Sequence, residues 1–241
     1  LKIKIISLKS KLNNPYKESN IKELMTTLRL FPLGTILFPN MILPLQVFEE
    51  RYKILIANCI EDNTPFGVVS IKSGNEVSDP SPEIHMVGTT AKINKTIFDN
   101  NGMILLETIG IQRFQILEII DDKPYLTAKV KALDEIESSN LGLLNEMQSS
   151  FEKFLQDSEI ASGSYAFNRT IPKQSGELAD RIAAKSIAFW DKKKLQLILE
   201  NLDEESRLED VKPIMNALSQ FAESEAKEKI RKLKAESIHL N

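Results

Sequence analysis

Two histidines and a single cysteine are the most reactive side chains in this sequence of 241 residues. His85 borders a strand-like run and His239 stands two residues from the last one, so no pair of imidazoles sits at metal-ligand spacing. Cys59, alone, forms neither an internal disulfide nor a thiolate metal cluster, and it suits a reducing compartment, with the cytoplasm as the expected location. A Ser-His-Asp hydrolase needs a base for its hydroxyl. His85 is the one serious candidate, no GxSxG elbow accompanies it, and a histidine beside an edge strand is far more often a surface residue. None of the nine glycines falls in the GxxxxGK[ST] pattern that cradles nucleotide phosphates. The adjacent acids Glu49-Glu50, Asp121-Asp122 and Glu204-Glu205 each adjoin a turn or helix start, where solvated capping charge explains them without acid/base catalysis. Lys192-Lys193-Lys194 reads as a wet surface. Lys227, Lys229, Arg231, Lys232 and Lys234 lie where a helix C-terminus favours cations, with no aromatic residues interleaved to stack bases. The expectation is a non-enzyme with no catalytic, cofactor-binding or metal-ligating residues.

Thirty-four acidic against 31 basic residues give a net charge of -3, which exerts no global pull on a polyphosphate backbone. Apolar residues at 42% and charged residues at 27% are ordinary for a globular chain, and no run approaches the 18 apolar residues that span a bilayer. Three segments are expected. Residues 1–24 form a Lys-rich flexible or leader extension without a signal-peptide core, an organellar leader being left open. Residues 25–135 carry strand signals at Phe66 to Ile71, Met86 to Lys95, Met103 to Ile109, Arg113 to Ile120 and Leu126 to Ala132, joined by turn residues at 73–83, 99–102 and 121–124. These suggest a largely antiparallel sheet curling toward a barrel, interrupted by one helix in EERYKILIANCIEDN, where Tyr52, Leu55, Ile56, Cys59 and Ile60 recur at helical spacing.

In residues 136–241 the apolar period changes from two to 3.6. Leu144, Met147, Phe151, Phe154 and Leu155 form one stripe. A second helix, capped by Ser175, buries Leu178, Ile182, Ala183, Ile187 and Trp190. Asp191 and Asp203 cap two more, the first turning Leu195, Ile198, Leu199 and Leu202 inward. A long last helix, with Pro213 near its start, carries Ile214, Leu218, Ala222, Ala226, Ile230 and Leu233. The fold class is thus α+β, a β-rich part followed by a helical bundle.

The stretch ILFPNMILPLQVFEERY at 36–52 poses the functional question. Pro39 and Pro44 push Phe38 and Leu43 toward extended conformations and each removes a backbone donor, so the chain runs as a kinked, edge-like path. Such a path can leave apolar side chains near the surface to meet those of another protein. Phe38, Pro39, Met41, Ile42 and Pro44 are the candidate protein-binding residues, the alternative being that these apolar side chains close the end of the barrel as core. In FEERY, Arg51 pairing with a neighbouring acid and Tyr52 packing inward require no function.

Extended to LRLFPLGTILFPNMILPLQVFEERY, this stretch resembles the start of the Lon protease N-terminal (substrate-binding) domain. The likeness recurs in VGTTAKI at 87–93, in LLETIGIQRFQILEI at 105–119 with Gly110 and Arg113 in the glycine-x-x-arginine positions, in YLTAKVKAL at 125–133, and in LADRIAAKSI and LQLILENLDEESRL. It covers Leu28 to about Leu218, with Leu195 standing where a basic residue is usual and no counterpart for the leader. The resemblance implies a PUA-like β-rich pseudo-barrel and a helical subdomain without the protease's ATPase and peptidase modules, so that stand-alone Lon-domain proteins are the nearer match. It also implies partners: apolar segments of unfolded or client proteins, and a separate ATPase or protease of protein quality control. RNA binding, which PUA-like folds often serve, is the alternative; salt dependence separates the two. For Gly110 and Arg113 the reading is a tight bulge followed by an anchoring guanidinium.

Overall fold

A computed structural model describes residues 26–74, 82–99, 102–120, 124–138, 140–163 and 170–238, with side chains to residue 235. The expected extension 1–24, most of the turns at 73–83 and 121–124, Asn100 and Asn101, Ser139, the loop residues 164–169 and His239 lie outside the described residues.

The β-rich part comprises β1 (Thr26–Leu33), β2 (Ile42–Val47), β3 (Phe66–Ser73), a short β4 (Glu83–Ile84), β5 (Val87–Phe98), β6 (Ile104–Ile120) and β7 (Thr127–Ala132), with helix α1 (Glu50–Glu61) between β2 and β3. Neighbouring strands run β1-β7-β6-β5-β3, all antiparallel, and β3 returns to pair with β1 in parallel from Leu30↔Gly67 to Leu33↔Ser70. That last pairing closes the sheet, so five strands protect one another's edges as a barrel does. β2 lies off this ring, paired among the described residues with β6 alone. There the missing N–H of Pro44 can be tolerated, as on any strand with a free edge.

The two strands expected at 103–109 and 113–120 are one continuous β6. It bends rather than turns, because its register with β5 slips from Ala91↔Gly110 to Thr89↔Arg113, three residues on β6 against two on β5. Apolar residues pack on both faces of the strands. Val68 joins the cluster beneath Tyr52, Leu55, Ile56 and Cys59 of α1, while its neighbour Val69 joins Leu30, Phe114 and Ile116. Ile60, expected on the buried stripe of α1, is 44% exposed.

The helical part is α2 (Leu141–Ser162), α3 (Ser175–Lys185), α4 (Lys192–Glu200), α5 (Glu204–Asp210) and α6 (Lys212–Ile238), which makes the architecture α+β with a long C-terminal helix. Asp191 and Asp203 cap α4 and α5, accepting from the backbone N–H of Lys194 and Ser206. Ser175 does not cap α3: Gln174 holds the cap position without a side-chain bond, and Ser175 is buried in the first turn. α3 also stops at Lys185, so Ile187 and Trp190 pack from the turn after it rather than from the helix. The stripe of α6 is buried to Ala226 and then opens at Ile230 and Leu233. α2, its main partner, ends at Ser162, and Gly163 already lies level with Lys229. Among the described residues no helix is long and apolar enough to cross a membrane.

Candidate protein-binding groove

The loop between β1 and β2 joins the two parts of the molecule. Ile36 and Phe38 insert into the helical core beside Phe151 and Leu178, whereas Leu37 between them enters the cluster under α1. An extended backbone sends alternate side chains to opposite sides, and here each side is a different core. The path is held by its carbonyls: Leu37 accepts from the Thr89 hydroxyl at 2.5 Å and Leu43 from that of Thr108 at 2.8 Å. Gly110 of the β6 bulge donates to Met41 at 2.9 Å and accepts from Asn40 at 2.8 Å. A Cβ on Gly110 would run into the Phe38 carbonyl oxygen, so the close approach requires glycine. Asn40 turns the loop at φ 59°, the left-handed region that asparagine tolerates.

Beyond this turn the loop overhangs the helices and encloses a groove of about 410 Å³. Pro39, Asn40, Met41 and Ile42 form one wall. Phe151 and Leu155 of α2 and Ala184 of α3 form the apolar opposite side, with Arg181 and Lys185 at the margin. The volume is within the ~300–1,000 Å³ usual for binding pockets. Ile42 is 58% exposed, and Met41 is partly buried, packing against both cores. Of the five sequence-derived candidates, Pro39, Met41 and Ile42 therefore line one groove. Phe38 is wholly buried beneath it and positions the wall. Pro44 faces a second depression of about 410 Å³, bounded by β2, the end of β1 and the start of α1.

Phe151 and Leu155 are buried, as the helical stripe predicts, and only floor the groove, whereas sequence reasoning passed over Arg181, Ala184 and Lys185. The available signal was the spacing of the last three: 181, 184 and 185 share the face of α3 left over once Leu178, Ala179, Ile182 and Ala183 are buried.

A second junction between sheet and helices is polar, with the guanidiniums of Arg113 and Arg207 and the carboxylate of Asp180 buried and Glu135 reaching in from the surface. The Arg113 side chain is fully buried; its Nε donates to the Leu199 carbonyl at 2.8 Å, and its Nη atoms donate to both carboxylate oxygens of Asp180 and to Glu135. Arg207, also fully buried, donates to Glu135 at 2.6 Å and to the Asn201 carbonyl at 2.7 Å, with Asp180 3.3 Å from its Nε. Burial pushes the Asp180 carboxyl up, while both guanidiniums pull against that. Burial also raises Glu204, whose carboxylate accepts from the Gly176 amide. One strand residue thus ties β6 to α3, α4 and the segment before α2.

The remaining polar candidates are accounted for locally. Arg51 pairs with Glu49 at 3.0 Å and lies 4.5 Å above the ring of buried Tyr52, which stacks on Phe31. His85 faces Glu200 at 3.7 Å, Lys192 donates to the Gly34 carbonyl, and Lys193 and Lys194 are exposed. Among the described residues no group of three or more His, Cys, Asp or Glu is placed to hold a metal ion.

Residues 27–217 match the family model of the ATP-dependent protease La (LON) substrate-binding domain. Among curated relatives, Lon protease 2 of Myxococcus xanthus is 27% identical over 205 residues, covering 82% of this chain and 24% of that protein. The Lon protease of Heliobacterium modesticaldum is 26% identical over 220 residues, 89% of this chain and 27% of the relative. The chain thus spans about a quarter of the length of these proteases. Two solved structures share the fold: a Lon N-terminal domain protein from Xanthomonas campestris (TM-score 0.60, 22% identity, 77% of this chain and 96% of that one) and the N-terminal domain of the Mycobacterium avium complex Lon protease (TM-score 0.62, 17% identity, 79% and 98%).

Proposed function

The chain belongs to the ATP-dependent protease La (LON) substrate-binding domain family, and from that premise we propose that it recognises exposed apolar segments of client proteins without acting on them chemically. The observation that carries this reading is the groove beneath residues 39–42, lined mainly by apolar side chains and edged by a large, mostly exposed aliphatic side chain at Ile42. A natively buried Leu or Phe displayed by an unfolded chain loses water by entering it, at roughly 25 cal/mol per Å² of apolar area covered. Ordering the client offsets part of that gain, so micromolar affinity is expected. The related proteases suggest the fate of the client: a held segment belongs to a protein destined for degradation.

The test is a titration of a fluorescent ten-residue peptide rich in Leu and Phe, read by anisotropy, alongside suppression of aggregation of a denatured model protein. Wild type binds with a micromolar Kd, and Ile42→Asp weakens it tenfold or more while the unfolding curve is unchanged. Absence of peptide binding, or binding indifferent to Ile42→Asp, overturns the proposal.

A further inference from the structure

The charges lining the groove are of one sign. Arg181 and Lys185 lie one helical turn apart on the same face of α3, and among the described residues no acidic side chain joins them in the lining. Local partners compensate them weakly. Arg181 donates to the Thr170 carbonyl at 2.5 Å and makes a long, partly exposed ion pair with Glu177 of the same helix at 3.9 Å. Lys185 is exposed and forms no ion pair among the described residues. Elsewhere on the surface lysines commonly do pair, Lys53 with Glu50, Lys72 with Glu83, Lys129 with Glu118 and Lys153 with Asp157. Part of the tendency toward a cation at Lys185 comes from its place in the last turn of α3. That favourable position does nothing for Arg181 in the middle of the helix.

We infer that the groove prefers apolar segments that carry a carboxylate, an Asp or Glu beside the buried residues, which Arg181 and Lys185 receive at the margin. This rests on the groove being the client site, and it adds a charge rule to that reading. An apolar residue fills the space between Met41, Ile42 and Ala184, and an acid a few ångströms along the segment meets the guanidinium and ammonium without being buried. Partly hydrated pairs of this kind are modest, so the acid sharpens selection among apolar segments and does not replace the apolar contact. A polyanion with no apolar side chains lacks the main attraction.

Three peptides of identical apolar sequence with Glu, Gln or Lys at one central position separate these ideas, titrated against wild type, Lys185→Gln, Lys185→Glu and the double variant Arg181→Gln/Lys185→Gln at two salt concentrations. Wild type is expected to bind the Glu peptide about three- to tenfold tighter than the Gln peptide, with the Lys peptide weakest, and the spread narrows as salt rises. The double variant binds Glu and Gln peptides alike at the affinity of wild type for Gln, and Lys185→Glu turns the preference toward Lys. Lys185 is exposed, so its variants keep the fold even where Arg181→Gln disturbs it. Equal binding of Glu and Gln peptides by wild type, with both lost on Ile42→Asp, overturns the charge rule and leaves the groove reading standing. Loss of none of the three on Ile42→Asp, or tighter binding of a single-stranded RNA than of any peptide, overturns both.

Discussion

Two of the junctions between sheet and helices are of opposite character. At the first, the buried side chains of Arg113, Arg207 and Asp180 are held together with Glu135, which reaches them from the surface. At the second, the loop 36–42 sends two side chains into the helical core and leaves the next apolar ones overhanging an open groove. Side chains of the types associated with catalysis are consumed in holding the fold, and some side chains of the types associated with cores are left exposed at the surface. Residue type alone therefore points the wrong way at both places. A charge cluster is functional only where it keeps unused bonding capacity, and an apolar run only where it keeps exposed area.

The contrast breaks most visibly at its buried anchors. Arg113→Ala leaves Asp180 sealed in with half its compensation gone, and a loss of about 3–5 kcal/mol in denaturant unfolding is expected; a loss below 1 kcal/mol would mean the seam is ornamental. Phe38→Ala empties a fully buried site and costs about 3–5 kcal/mol as well. Next comes Gly110→Ala, whose new methyl meets the Phe38 carbonyl: about 1–3 kcal/mol of stability is lost, and peptide affinity falls because the wall carrying Met41 and Ile42 shifts. Unchanged affinity in a folded Gly110→Ala protein would show that the wall does not depend on the bulge. The smallest effect belongs to Ile42→Ala, only four residues from Phe38, which changes stability by no more than about 0.5 kcal/mol because the side chain is already in solvent.

Local patterns were legible and through-space ones were not. Asp191 and Asp203 could be read as caps because a cap is a bond between residues two or three apart. The stripe from Leu144 to Leu155 was readable because burial on a helix repeats with the helix, whereas the turn at Ile187 to Trp190 continues the spacing after the helix has stopped. The parallel β1–β3 pairing that closes the barrel is made by strands separated by a helix, and nothing local announces it. Arg113 could be recognised as an anchor, but Asp180, Glu135 and Leu199 are 22 to 86 residues away in sequence. In the groove, the prolines marked the loop, yet which apolar residues turn inward is decided by Gly110, Thr89 and Thr108 holding the loop's backbone. That is why Phe38 and Ile42, alike in the sequence pattern, end in opposite environments.

Titration of the isotopically labelled protein with the Leu/Phe-rich peptide, followed by amide chemical shifts, asks most directly whether the overhanging loop is where a client binds. The account predicts saturable shifts concentrated at Asn40 to Ile42, Phe151, Leu155 and Arg181 to Lys185, with the Arg113 seam unmoved. Shifts gathered instead at another exposed apolar site, such as Ile97 and Phe98 at the end of β5, would contradict it.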